Sequence, residues 1–336
     1  MSRNEKEELF LLLDETARRK ASKNLLPFIQ YLFPSGYDAT WFHRYVCDVL
    51  DKFAKNEIMR LMIFIPPQHG KSTMMTEYLP AFLLGKNPDE KIILAAYNEE
   101  LASKFNRKIQ RVITHDKYGQ IFPNTKLNSK NVITDAKGNY VRNSSEFEVV
   151  GHQGSLRSTG VGGGIAGMPA KTALLDDVIK NTAEANSLTY RNAVYDWYTD
   201  ELEARLHNDS KVAFTITRRH EDDLAGRLLK RDGTVDKGGV WGVIKLPALK
   251  EDNSDPNDIR EIGEALYPSR HSRERMEERK LNTPRTFAGL YQQRPAPAEG
   301  TLLKKSYFRH YELHQLPEGT FHLSLPSEWQ EALNEN

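Results

Sequence analysis

The run Ile65-Pro66-Pro67-Gln68-His69-Gly70-Lys71-Ser72 carries the residue types that bind a triphosphate, in the order such binding requires. Backbone N–H groups across residues 68–72 can wrap phosphate oxygens, and the start of a following helix adds the positive end of its dipole. Gly70 allows close approach of the backbone, Lys71 would reach the β- and γ-phosphates, and the Ser72 hydroxyl would join a Mg²⁺ shell. Pro67, Gln68, His69, Gly70, Lys71, Ser72 and Thr73 are therefore the candidate ATP-binding residues. The loop departs from the usual pattern in one place, because Ile65 stands where the first glycine falls. The competing reading is an ordinary turn before a helix. The apolar strand Leu61-Met62-Ile63-Phe64-Ile65 in front and the intact Gly-Lys-Ser argue against it.

Hydrolysis also needs a carboxylate on a neighbouring strand to hold Mg²⁺ and a group to align water. The segment Thr172-Ala173-Leu174-Leu175-Asp176-Asp177 is an apolar strand ending in two acids. Asp176 is assigned to the Mg²⁺ shell with Ser72, and Asp177 to the attacking water. Adjacent strand residues point to opposite faces, so Asp177 serves only if the strand ends or bends there. Glu184 is the reserve base, and the alternative is a solvated Asp-Asp turn.

Three further features bear on such a site. Residues 151–167 hold seven glycines and Arg157. Their formal G-x-G-x-x-G, 162–167, leads into a strand and not out of one, which argues against a dinucleotide site. A mobile loop is expected, with Arg157 as a finger arginine acting in cis or on a neighbouring subunit, or as a plain surface residue. Thr215 and Thr217 share one face at the end of an apolar strand, where parallel sheets bind ligands, so one of them is a candidate γ-phosphate sensor. Lys104, Arg107, Lys108 and Arg111 form a basic stripe on a helix at 99–114, suited to DNA phosphates or simply to solvent. His220 and the acids after it lack metal-ligand spacing and suit the start of a helix at 221–230.

The elements that must position these residues are legible from pattern. Strands are expected at 61–65, 91–97, 147–150, 172–175 and 211–217, with helices at 71–84, 99–114 and 187–206 between them, the first bent or ended by Pro80. Short apolar strands alternating with helices indicate an α/β fold with a mostly parallel sheet covered on both faces. Residues 1–23 read as a charged helix. Phe42, Tyr45, Val46, Val49, Leu50 and Phe53 give 41–54 a buried face. A subdomain border is placed near 250, a charged helix at 270–290 and a linker at 294–298. The chain has 336 residues, a net charge of +1 and a single cysteine, Cys47. Any nucleic-acid surface must therefore be local, and a disulfide framework is excluded. No apolar run is long enough to span a bilayer, so an intracellular protein is expected.

Together these motifs resemble the large terminase subunit of tailed bacteriophages and prophages. The resemblance rests on Pro-Pro-Gln-His-Gly-Lys-Ser, Gly-Val-Gly-Gly-Gly-Ile-Ala-Gly, Leu-Leu-Asp-Asp-Val-Ile-Lys-Asn, Asp-Trp-Tyr-Thr and Thr-Arg-Arg-His-Glu-Asp-Asp-Leu-Ala-Gly-Arg-Leu, in that order, with Tyr291-Gln292-Gln293-Arg294-Pro295 following. It implies a RecA-like ASCE P-loop NTPase core with N-terminal helices (1–55), the core proper (56–250), a small lid or linker subdomain (251–310) and a tail (311–336). It implies ATP hydrolysis with Mg²⁺, coupled to translocation of double-stranded DNA in the host cytoplasm. The implied partners are a portal protein, a terminase small subunit and further copies in a ring. By position, Lys71 and Ser72 match the Walker A residues and Asp176 with Asp177 the Walker B acids. Thr215-Ile216-Thr217 matches the coupling motif, and Phe42-His43 falls in the adenine-side region, which makes His43 a candidate ATP contact. Arg157 lies where some relatives place a finger arginine. Arg219 stands where a tryptophan is common, and Asp177 where glutamate is common. The family's C-terminal RNase H-like nuclease begins with an acid-bearing strand. Here Phe321-His322-Leu323-Ser324-Leu325-Pro326 puts Pro326 at that acid's place, so nuclease activity is not expected of this polypeptide. It reads as an engineered fragment, a frameshifted or split gene product, or a degraded prophage copy. The other readings are a helicase-like remodelling ATPase, and a nucleotide-gated assembly module with negligible turnover alone.

Overall fold

The computed structural model describes residues 2–33, 36–133, 138–253 and 255–295, and the strand residues 312–315 and 321–324. The chain divides into two units, Met1–Ala296 and Pro297–Asn336. In the second, Glu312–Gln315 and Phe321–Ser324 pair antiparallel. Pro326 and the end of the expected linker, residues 296–298, lie outside the described residues.

The first unit opens with helices α1 (Arg3–Ala21), α2 (Leu25–Leu32) and α3 (Trp41–Ala54). Then come β1 (Arg60–Phe64), a π-helical stretch (Thr73–Tyr78), α4 (Leu79–Lys86), β2 (Lys91–Ala96), α5 (Glu99–Ile113) and α6 (Asp116–Ile121). The chain continues through β3 (Glu146–Glu148), β4 (Ser155–Gly160), β5 (Ala170–Asp176), α7 (Thr182–Asn186), α8 (Leu188–Asp196), β6 (Leu206–Thr215), α9 (Leu224–Asp232), β7 (Gly242–Lys245) and α10 (Arg273–Asn282). The seven strands order as β3-β4-β2-β5-β6-β1-β7, and only the β3–β4 pair is antiparallel.

The continuous apolar strands are explained by burial on both faces. Leu61 and Ile63 of β1 pack with Leu94 and Leu174 into a core formed with the N-terminal helices and α5. Met62 and Phe64 point the other way, into a second core with Leu175, Phe214 and Leu228. A third, small cluster of Ala248, Leu249, Ala265, Met276 and Phe287 gathers residues beyond β7.

Several expectations are corrected in detail. The glycine-rich run is not a loop throughout: residues 155–160 form β4, inside the sheet. Its Gly160 serves packing, since a Cβ there would lie 2.6 Å from the backbone N of Glu99 at the start of α5. β7 carried too weak a pattern to be expected at all. The helix expected over 71–84 is π-helical before Leu79, and Pro80 falls in the first turn of α4, where a missing N–H is tolerated. The helix expected over 270–290 stops at Asn282, two residues before Pro284. Among the described residues no helix is long and apolar enough to cross a membrane.

Two buried charges tie α3 to its neighbours. The Lys211 ammonium on β6 donates to the Phe53 and Ala54 carbonyls and to Asn56 Oδ1 at 2.8 Å, a cation at a helix C-terminus. Asp51 Oδ1 accepts from the first N–H of α2, Leu25 N, at 2.8 Å, supplying a cap that Asn24 does not make. Burial raises the Asp51 carboxyl to about 6. Its folded value lies above the unfolded one, so its contribution is full below the unfolded value and lost as pH rises through about 6. Asp51→Asn keeps an acceptor and removes this titration. In urea unfolding at pH 5 and pH 7, the stability of the variant relative to wild type should therefore improve at the higher pH; an unchanged difference would contradict the assignment.

Candidate functional site

The register of three parallel strands builds the site. Ile63 of β1 pairs with Thr215 of β6, and Asp176 of β5 pairs with the same Thr215. The carboxyl ends of β1, β5 and β6 are thus level, and the loop leaving β1 faces the acids leaving β5. The loop turns on two left-handed residues, Gln68 (φ 63°) and Gly70 (φ 79°), which suits a concave backbone cradle. Ile65 is fully buried, so the position of the missing first glycine is a core position in this chain.

Lys71 is buried and bridges two strand ends. Its Nζ donates to Asp177 Oδ1 at 2.8 Å and to Thr217 Oγ1 at 2.7 Å, while Thr217 N donates to the same Asp177 oxygen at 2.8 Å. β5 ends at Asp176, and Asp177 takes φ 44°, an uncommon conformation for a residue with a Cβ. That turn satisfies the geometric condition for both acids to serve one site. Burial alone would raise the Asp177 carboxyl, but the Lys71 ammonium and the Thr217 hydrogen bonds outweigh it and hold Asp177 below the usual carboxylate range.

Asp176 lies in the opposite environment. It is fully buried, and burial together with the Asp177 charge raises it to about 6, against the pull of Lys71. Its Oδ2 accepts from Thr76 Oγ1 at 2.6 Å, and Ser72 lies close enough to the carboxyl to pull its pKa down. Ser72 and Thr76 are four residues apart and so share a helical face. The second oxygen, Oδ1, is buried with no partner. An orphaned carboxylate oxygen beside a serine hydroxyl fits Mg²⁺, which takes few protein ligands and completes its shell with water and phosphate. Among the described residues no cluster of three His, Cys, Asp or Glu offers another metal site.

The cavity over the loop, about 660 Å³, is lined by Pro67, Gln68, Gly70, Lys71, Ser72, Thr73, Asp177 and Thr217. Ligand pockets commonly span about 300–1,000 Å³. The remaining expected residues lie elsewhere. The His69 ring turns inward, with Nδ1 2.8 Å from the Pro67 carbonyl oxygen. His43 sits behind the loop, since a Cβ on Gly70 would be 3.2 Å from its Nε2. Burial lowers both imidazoles to about 4, so they are neutral supports at neutral pH. The Thr215 hydroxyl donates to the Ile63 carbonyl at 2.9 Å, so this threonine staples β6 to β1 while Thr217 faces the cavity. Glu184 accepts from Lys180 N at 3.0 Å at the start of α7 and does not line the cavity.

Arg157 does not line this cavity. It lies in mid-β4, with β2, β5 and β6 between it and β1, and pairs with Glu146 at 3.2 Å. On α5, Lys104, Arg107 and Arg111 are exposed, and Lys108 pairs with Glu77. Sequence reading missed Thr76, which the helical spacing from Ser72 could have flagged. It also missed Arg270, His271 and Arg275, which line the same cavity from some two hundred residues downstream; no local signal links them to the loop.

Residues 62–283, more than half of the chain, match the family model for the terminase large subunit, T4-like-virus type, N-terminal part. No curated protein matches the chain. The fold is similar to that of the large terminase of bacteriophage HK97, with a TM-score of 0.50 and 12% identity over 94% of this chain and 70% of that one. Weaker similarities are to a mutant ATPase domain of the large terminase of Thermus phage P74-26 (TM-score 0.42, 14% identity, 70% of this chain and 89% of that one) and to the Phi-28 gp11 DNA packaging motor (0.38, 10%, 81% and 77%).

The left-handed turn at Gly70 makes a direct test. Gly70→Ala should cost about 1–2 kcal/mol in urea unfolding, because a Cβ strains this backbone wherever space is found. In a double-mutant cycle with His43→Ala, the coupling should stay below about 0.5 kcal/mol. A cost that vanishes in the His43→Ala background would show that crowding, not backbone strain, is responsible.

Proposed function

The chain belongs to the terminase large subunit family, and on that premise we propose that it is the ATP-hydrolysing motor portion of a viral DNA-packaging terminase. It would convert ATP to ADP and phosphate and couple this reaction to movement of double-stranded DNA into a capsid. The observation that carries the reading is the convergence of Lys71, Asp177 and Thr217 on one cavity, with Asp176 beneath it. Bound Mg²⁺ would supply positive charge that offsets the charge developing on the phosphates. Ser72 and Asp176 would hold that ion. Lys71 would carry γ-phosphate charge, and residues 67–73 would cradle the phosphates. Asp177 is held ionised by Lys71, so it is a weak proton acceptor and a good hydrogen-bond acceptor. Its role is to orient the attacking water, which is what a loose phosphoryl-transfer transition state asks of it.

Thr217 supports the coupling role. Its N–H and its hydroxyl hold Asp177 and Lys71 respectively, so a change at the phosphate reaches the end of β6 directly. Thr215 would carry that change to β1 through Ile63. The partners of this reading are DNA, a portal protein, a terminase small subunit and further copies of the chain in a ring, in the host cytoplasm. Residues 1–55, 56–250, 251–310 and 311–336 would be its helical segment, core, lid and tail. Arg157 enters only from a neighbouring copy. Its place away from the cavity favours a second reading, in which the chain alone binds nucleotide and turns over negligibly.

Lys71→Ala should lower steady-state ATP hydrolysis by about 100- to 1,000-fold while leaving the circular dichroism spectrum unchanged; wild-type turnover in this variant would refute the assignment. The ring reading predicts that wild-type turnover per chain rises with protein concentration and that Arg157→Ala abolishes the rise. A constant, measurable rate per chain would remove Arg157 from catalysis.

A further inference from the structure

The cavity over the phosphate loop has a second wall that the roles above leave unused. Arg270 and Arg275 line it, both are exposed, and neither has a carboxylate partner among the described residues. Some cations nearby in sequence have one, Arg260 with Asp258 and Lys280 and Arg294 with Glu251, while Arg273 and Arg279, which also lack one, lie outside the cavity. Lys71 is already balanced by Asp177, the one carboxylate of the lining. The cavity therefore carries two guanidinium groups with no carboxylate partner among the described residues, beside a Lys71–Asp177 pair that already balances itself. The wall they stand on is fixed to the loop. The His271 ring stacks on His69 with centroids 4.6 Å apart and planes 17° from parallel. Burial and the surrounding arginines hold His271 below its ordinary value, so this contact adds no positive charge at neutral pH. Arg270 lies over the Tyr267 ring, 5.3 Å from its centroid, and Arg275 sits in the first turn of α10, whose dipole is also positive there.

We propose that Arg270 and Arg275 bind the distal phosphates in cis and make this site discriminate ATP from ADP. The inference rests on the ATP reading and deepens it, because the ligand class is set by charge: two guanidiniums beside an already balanced Lys71–Asp177 pair call for an anion, and the third phosphate of ATP adds both a further negative charge and further oxygens for their forks. Guanidinium forks suit phosphate oxygens in pairs, which a lysine cannot reproduce. Arg275 stands on α10 beside Met276, which is buried with Phe287 in a small core, and Arg270 precedes that helix in a turn.

The test is calorimetric titration of the intact chain with Mg²⁺ and ATP, ADP or AMP. Each of Arg270→Ala and Arg275→Ala should weaken ATP binding about tenfold or more, and ADP binding less. AMP binding should not change, and in the double variant the ATP-to-ADP affinity ratio should fall toward one. Arg273→Ala, an exposed arginine on the same helix outside this cavity, should bind as wild type. Melting temperatures should change little, since both arginines are exposed and neither has a carboxylate partner among the described residues. An unchanged ATP-to-ADP ratio in the double variant, or an equal loss for all three nucleotides, overturns the proposal. ATP binding that Lys71→Ala abolishes and the double variant keeps would overturn the lid arginines alone. Absence of nucleotide binding by the wild-type chain would overturn the ATP reading and this inference together.

Discussion

Everything at the site depends on the level carboxyl ends of β1, β5 and β6. Thr215 is the shared register mark: it opposes Ile63 on one side and Asp176 on the other, and its hydroxyl closes on the Ile63 carbonyl. A one-residue slip of β5 against β6 would turn Asp176 to the opposite face, and one of β1 against β6 would carry Lys71 about 3.3 Å away from Thr217. Burial on both faces prevents that slip, because every strand residue from Leu61 to Ile65 already fills one of two cores. The same burial gives the site its electrostatics. Lys71 and Asp176 are removed from water by the packing that sets the register, so their charges act in a medium that screens them poorly.

Two adjacent acids consequently acquire opposite characters. Asp177 turns into the cavity on a strained φ, receives an ammonium and a backbone N–H, and stays ionised. Asp176 stays in the sheet, is raised by burial and by its ionised neighbour, and keeps one oxygen without a partner. An unsatisfied buried carboxylate is costly, so the folded chain holds a site that a divalent cation would relieve. The strain at Asp177 and the cost at Asp176 are local conflicts of the kind that packing elsewhere must offset.

The sequence made this arrangement legible where chemistry and period coincide. Gly70, Lys71 and Ser72 follow an apolar strand, and Asp176 and Asp177 end another, so strand-end chemistry could be read without knowing the strand order. Arg157 shows the limit. Its glycine-rich surroundings suggest a loop, yet Gly160 is there to let α5 approach β4, and the segment is a strand pinned between β2 and β3. Local composition cannot separate a glycine used for flexibility from one used for close contact. His43 and His69 show a second limit. Both lie in the right place along the chain, but burial turns their rings behind the loop, and no periodicity in a tight turn reports that direction.

The backing of the loop also explains why a loop without the first glycine can hold its shape. Ile65 gives its position to the core, and the curvature falls instead on Gln68 and Gly70. Gln68 carries a Cβ in a left-handed conformation, which by itself is unfavourable by about 1–2 kcal/mol. Its neighbours compensate from three directions. His43 closes on Gly70 from α3, Tyr267 meets the rings of Phe42, His43 and His69, and His271 stacks on His69. The backing of the loop thus comes partly from residues beyond β7, and this aromatic layer packs the loop against the segment carrying Arg270 and Arg275.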